Sequence, residues 1–147
     1  MLHEVEGFLT EDLKIPREAS ILVAISGGVD SVVLSHLLSE LPYRIALAHA
    51  NFHLRAEASD LDELFVRELA DKLQVPFFSV GFDTLTLAAD QGKSIQVLAR
   101  ELRYEWLEEL CTKQEYDFIA TAHHQNDAIE TALFHFARGT GIRGLKS

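Results

Sequence analysis

The chain has little of what staples or anchors a protein. A single cysteine, Cys111, excludes an internal disulfide and any Cys-x-x-Cys metal or redox site. No apolar run approaches the ~20 residues that a membrane span requires. The N-terminus, Met1-Leu2-His3-Glu4-Val5-Glu6, is acidic and lacks a signal-peptide pattern. Positive charge is scarce: 13 Lys and Arg face 23 Asp and Glu, a net charge of −10. That argues against a general nucleic-acid coat protein, whose non-specific binding depends on neutralising phosphates. Arg100, Arg103, Arg138, Arg143 and Lys146 remain available for a local basic patch. Internal repeats, linkers and low-complexity tracts are also missing. What is present is apolar: hydrophobic residues are 48% of 147, enough for one globular domain with a real core. These features together fit a cytoplasmic protein.

The patterning predicts alternating strands and helices. Leu2, Val5, Phe8, Leu9 and Leu13 repeat at helical spacing, so residues 1–20 read as a helical lead-in that ends at Ile15-Pro16. Ile21–Ile25 reads as a buried strand, and Val32–Leu38 as a helix behind it. Pro42 breaks the chain before a second strand, Tyr43–Ala50, and Asn51–Arg55 leaves it as a loop. Ser59 with Asp62 resembles a capping box ahead of a helix marked by Leu61, Leu64, Phe65, Leu69 and Leu73. Val75–Val80 is a third strand. Asp83–Gly92 is ambiguous between loop and a short helix ending at Gly92. Ser94 caps a helix running to about Cys111, and Phe118–Thr121 is a fourth strand. A last helix is expected from about Asn126 to Arg138, stopped by Gly139, with a glycine-rich tail over 139–147. This order implies βαβ units: an α/β, Rossmann-like parallel sheet with helices on both faces.

In such sheets ligands bind outside the carboxyl ends of the strands. Three polar clusters follow strand ends: Ser26–Ser31, His49–Arg55 and Thr121–Asp127. The first, Ser26-Gly27-Gly28-Val29-Asp30-Ser31, joins a strand to a helix N-terminus. Its glycines permit a tight turn and close ligand approach. Unpaired N–H groups and the helix dipole favour an anion there, and Ser26 and Ser31 add hydroxyls. This is not the common P-loop, which places four residues between its glycines and a Lys before the Ser/Thr. Asp30 in the turn would repel phosphates unless a cation lay between, so the residue types imply Mg²⁺ with a nucleotide. The plain alternative is a tight turn in which Asp30 or Ser31 only caps the helix.

The other clusters carry alternatives too. Adjacent His123 and His124 point opposite ways in extended chain and make a poor zinc pair. Asp127 and Glu130, three apart at a helix start, would share a face and hold Mg²⁺ or an ammonium group; acids also simply suit that position. Arg100 and Arg103 either reach phosphates or pair with Glu101 and Glu105 on a solvated face, the reading that spacing alone favours.

The turn at 26–31 resembles the PP-loop of N-type ATP pyrophosphatases, which cut ATP between the α- and β-phosphates to adenylate a substrate. The ordered set from residue 21 onward is similar to the tRNA(Ile)-lysidine synthase family: Asn51–Arg55, Ala99-Arg100 with Arg103-Tyr104, Thr121–His124 with Asp127, Glu130 and Thr131, and Arg138–Gly141. The resemblance implies an enzyme, a carbon–nitrogen ligase. ATP adenylates the wobble cytidine of a tRNA(Ile) with a CAU anticodon, and L-lysine then displaces AMP. It implies that Ser26, Gly27, Gly28, Val29, Asp30 and Ser31 bind ATP, and that Asp30 holds Mg²⁺, with Asp127 as a second candidate ligand. Asp127 and Glu130 would receive the lysine ammonium, Arg100 would stabilise phosphates or the adenylate, and His123 would contact the intermediate. It also implies a nucleotide-binding portion, residues 1–147, of a longer chain that is a homodimer at full length. Two positions depart from the family pattern: Phe52 stands where many members have His, and Asn126 where many have Asp. The expected rivals are a PP-loop tRNA-thiolating enzyme, which usually needs more cysteines, and a nucleotide-binding module without turnover.

Overall fold

The apolar runs of the first two strands become the middle of a five-stranded sheet in the computed structural model of the protein. The structure describes residues 2–26, 28–126 and 129–138, with side chains through Ala122 apart from that of Val5. Helix α1 (Leu2–Gly7) continues into a π-helical turn (Phe8–Asp12) that buries Leu9. Strand β1 (Ser20–Ala24) leads to α2 (Val29–Ser39), β2 (Arg44–Asn51), α3 (Glu57–Leu73) and β3 (Phe77–Gly81). Helices α4 (Thr84–Gln91) and α5 (Ile95–Lys113) follow, then β4 (Phe118–Asn126) and β5 (Ile129–Arg138). The ambiguous stretch after β3 is thus a short helix, closed by Gly92 at φ +65°. Ser94 caps α5, its Oγ accepting the Val97 N–H at 3.2 Å.

The sheet order is β3-β2-β1-β4-β5, with β1–β2, β1–β4 and β2–β3 parallel. The chain winds outward from β1 to β3 and returns to β4 on the other side of β1. The winding direction therefore reverses between β1 and β4, which opens a crevice at the carboxyl ends of the strands. Strand alternation divides the core between the two faces. Ile21, Val23, Ile45 and Leu47 pack with Leu34 and Leu38 of α2 and Val66 of α3. Leu22, Ala46, Ala48 and Ile119 pack with Tyr104, Leu107 and Cys111 of α5. Each of these apolar side chains is nearly or wholly removed from water, worth about 1.5–3 kcal/mol for the larger ones.

Two expectations need correcting. The helix over 126–138 is a strand: β5 runs antiparallel to β4 from Asn126↔Ile129 back to Phe118↔Arg138, with an irregularity between His124 and Asn126. The segment is rich in Ile, Thr and Phe, which suit a pleated surface, and the free edge of β4 supplies its partner. The Ser59–Asp62 capping box is also absent. Helix α3 starts three residues earlier, at Glu57, with Ala56 as its uncapped N-cap. Ser59 Oγ accepts the Arg55 N–H at 3.0 Å, and Asp62 pairs with the Arg55 guanidinium.

Candidate functional site

The turn after β1 closes on itself. Ser26 Oγ accepts the Gly28 N–H at 3.2 Å, and Ser31 Oγ–H donates to Gly28 O at 3.0 Å. The two hydroxyl oxygens lie 3.4 Å apart. The serines therefore shape the turn as well as offering polar atoms to a ligand. Gly28 is the N-cap of α2 in extended geometry (φ −73°, ψ 163°), and no side chain caps the helix. Its backbone angles suit any residue, and a Cβ there would make one close contact, 3.4 Å from Ser26 Oγ. Val29 is exposed and Asp30 half-buried, both in the first turn of α2. Gly27 lies outside the described residues.

Beside this turn, on the α5 side of the sheet, is a cavity of about 220 Å³. Ile25, Ser26 and Ser31 form one wall, Ala48 and Ala50 of β2 the floor, and Thr121 and Ala122 of β4 the far side. Helix α5 covers it with Arg100, Arg103, Tyr104 and Trp106, and Phe52 closes one end. Phe52 is itself stacked on Phe82, ring centroids 5.7 Å apart. Two features give the cavity its chemistry. Among the described residues its wall carries two guanidinium groups and no carboxylate, in a protein of net charge −10. Both groups lie over the Tyr104 ring, at 5.0 Å for Arg100 and 5.1 Å for Arg103, which fixes them as cation–π pairs. The wall also holds buried polar atoms without partners among the described residues, Arg103 Nε and Thr121 Oγ1. Buried polar groups are rarely left unpaired; a third such atom, Tyr43 Oη, lies away from the cavity, but these two share one wall, where a ligand could supply both bonds. One acceptor for a guanidinium and one partner for a hydroxyl describe an oxygen-rich anion.

The sequence favoured a solvated face for the arginine pair; the structure puts both on the cavity wall. The spacing Arg100-x-x-Arg103-Tyr104 held that signal, since residues three apart share a helix face. Arg103 is weighed beside Arg100 as a phosphate contact in the sequence, whereas nothing there shows that Thr121 faces α5. The structure brings Ser26, Ser31 and Arg100 together around one cavity. It does not place Asp127 and Glu130 on a shared helix face. Glu130 lies in strand β5 and not in a helix, and Asp127 is outside the described residues. His123 is in β4, in register with Leu133. The cluster after β2 ties that strand to α3: Asn51 Nδ2 donates to Asp60 at 3.0 Å and to Glu63 at 3.4 Å, and Asn51 Oδ1 accepts the His53 N–H at 2.9 Å.

Cys111 has no part in this cavity. It is buried, and its Sγ–H donates to Tyr116 O at 3.0 Å. Burial pushes its thiol up to about 11, with Asp117 adding to the shift. A thiol held neutral in this way is a poor nucleophile.

Residues 1–147 match the family model ATP_bind_3, a PP-loop domain. The chain belongs to the PP-loop family. Among curated relatives, the tRNA(Ile)-lysidine synthase of Parabacteroides distasonis is 43% identical over 145 residues, covering 99% of this chain and 33% of that protein. The enzyme of the same name from Porphyromonas gingivalis is 47% identical over 134 residues, 90% of this chain and 30% of that one. This PP-loop chain thus spans about a third of the length of the curated relatives it matches. Among solved structures, an NH3-dependent NAD synthetase from Campylobacter jejuni superposes with a TM-score of 0.62 at 14% identity, over 80% of this chain and 53% of that one. An NMN synthetase from Francisella tularensis does so with a TM-score of 0.60 at 19% identity, over 80% and 51%. These two share the fold. Among the described residues, no helix is long and apolar enough to cross a membrane.

Proposed function

We propose that this PP-loop chain is the ATP-binding portion of a tRNA(Ile)-lysidine synthase. The observation that carries the reading is the cavity between the Ser26–Ser31 turn and α5, where two guanidinium groups converge with the buried Thr121 hydroxyl, and Arg103 Nε and Thr121 Oγ1 have no partner among the described residues. Both named relatives bear that enzyme name. The turn and the N-terminus of α2 receive the β- and γ-phosphates, while Arg100 and Arg103 hold the α-phosphate against α5. Thr121 fixes the nucleotide from the opposite wall, and Phe52 offers an apolar face. The C2 oxygen of the wobble cytidine attacks the α-phosphorus, and the bond to the β-phosphate oxygen breaks, releasing pyrophosphate. The ε-amine of lysine then attacks C2, loses a proton, and AMP leaves. Two fixed cations stabilise charge that grows on the phosphate in the first step.

Magnesium fits the donor set in a limited way. No cluster of three metal-ligating side chains occurs among the described residues. An ion bound with a nucleotide needs only one or two carboxylates, the rest of its shell being phosphate oxygens and water. Asp30, in the first turn of α2, supplies one, and the ion would neutralise phosphate charge. Glu130, His123 and Asp127 remain assigned to lysine and the adenylated intermediate on the resemblance alone. Sulfur transfer is disfavoured by the buried, hydrogen-bonded Cys111.

Incubation with α-labelled ATP, Mg²⁺, unfractionated tRNA and each amino acid in turn tests the reading, with nucleotides separated afterwards. AMP formation that requires both tRNA and lysine is expected, from this chain or from the longer protein to which it corresponds. AMP formation with another amino acid, or without tRNA, would contradict it.

A further inference from the structure

We propose that His49 is a positioning residue for the phosphate-binding turn, an inference that rests on the nucleotide reading above. His49 is 4% exposed and sits near the carboxyl end of β2. Its Nδ1 is 2.8 Å from Ile25 O. A carbonyl only accepts, so Nδ1 carries the proton, whatever the charge on the ring. Ile25 is the residue from which the chain leaves the sheet to enter the turn. The β1–β2 ladder has its last register pair at Ala24↔Ala48. The Ile25 N–H still reaches back to Ala48 O at 2.9 Å, and the His49 side chain takes the Ile25 carbonyl. The peptide units on both sides of Ile25 are therefore pinned to consecutive residues of β2, one by backbone and one by imidazole. That fixes the direction in which Ser26 departs, and with it the Ser26–Gly28–Ser31 hydrogen bonds.

Packing alone would put an aliphatic residue at position 49. Ile45 and Leu47, on the same face of the strand, belong to the core against α2 and α3. A buried imidazole in that row loses its hydration and is stable only through the bond it makes. His49 also shares with Ser26 the wall of a second cavity, about 170 Å³, on the α3 side of the sheet. The imidazole thus stands between the core and the first hydroxyl of the turn.

The test is calorimetric titration of MgATP into the chain, with amide exchange at Ser26, Gly28 and Val29 followed in the same samples. His49→Leu fills the space without a donor, and His49→Asn keeps an N–H near the position of Nδ1. The Leu variant is expected to weaken MgATP about 10-fold or more and to speed exchange in the turn, the Asn variant to stay within about three-fold of the parent. A role confined to packing would lower the melting temperature of both variants and leave affinity and exchange unchanged, which overturns the proposal. Should the Leu variant not fold, His49→Gln replaces it, since its amide is displaced by one methylene. Affinity retained with Asn and lost with Gln supports positioning; equal affinities overturn it. If the parent chain binds no MgATP, the nucleotide reading fails, and the exchange comparison alone then decides whether His49 orders the turn.

Discussion

Thr121 is buried in β4 with a hydroxyl that has no hydrogen-bond partner among the described residues. Its methyl and hydroxyl are nearly the same size, so Thr121→Val removes the unpaired polar atom without opening a hole. The free protein should gain about 1 kcal/mol, read as a higher melting temperature, while MgATP binding weakens. A variant that is less stable would show that the hydroxyl has a partner in the free protein. Cys111 makes the opposite case, a polar atom fully used. Burial favours its neutral thiol, so the native state keeps the proton up to about 11, whereas the unfolded chain releases it near 9.0. The resulting stability is complete below the lower value and is lost as pH rises through the upper one. Cys111→Ala should therefore show a shallower fall in unfolding free energy over that window than the parent. Tyr43 and Tyr116, both raised by burial, add a similar dependence in both proteins, and Arg44 beside Tyr116 moderates it. A parallel pair of pH curves would contradict the burial argument.

At the scale of elements, the amino ends of β1 and β4 are clasped opposite the functional edge. Ser20 N–H donates to the Asp117 carboxylate at 3.1 Å, and Asp117 N–H donates to Ser20 Oγ at 3.0 Å and to Ser20 O at 3.1 Å. This clasp sets the register of the strand pair whose far ends flank the cavity. Asp117→Ala removes the charged acceptor and should cost about 1–3 kcal/mol in denaturant unfolding, with MgATP affinity of the folded protein little changed. An unchanged midpoint would mean that the ladder alone holds the register. Much of this layout was legible in the residues. The apolar runs at 21–25 and 45–50, the glycine at 92 and Ser94 before α5 mark elements that formed where their chemistry required. The stretch 129–138 was not legible in the same way. Its Ile, Thr, Leu and Phe serve a helix face or a strand equally well, and a neighbouring strand edge decides between them. The cap of α3 failed for a related reason: Ser59 and Asp62 fit a capping pattern, but both turn back to Arg55.

Over the whole molecule, a net charge of −10 frames a cavity wall that carries, among the described residues, two guanidinium groups and no carboxylate. Sequence reasoning located the turn and the three polar clusters at one sheet edge. It left Arg103 open between phosphates and a solvated face and gave Thr121 no role, because only the winding β3-β2-β1-β4 brings β4 and α5 to the same side of the turn as Ser31. The central claim is that this cavity takes the phosphates of a nucleotide, and the most direct measurement is MgATP binding to the chain beside its Arg103→Ala variant. Arg103 lies over Tyr104 with a buried, unpartnered Nε, so its removal should leave the melting temperature close to that of the parent. The account predicts a single MgATP site in the parent and an affinity about 10–100-fold lower in the variant, the loss of a charge-assisted bond to phosphate. Equal affinity in the two proteins, with both folded, would contradict it.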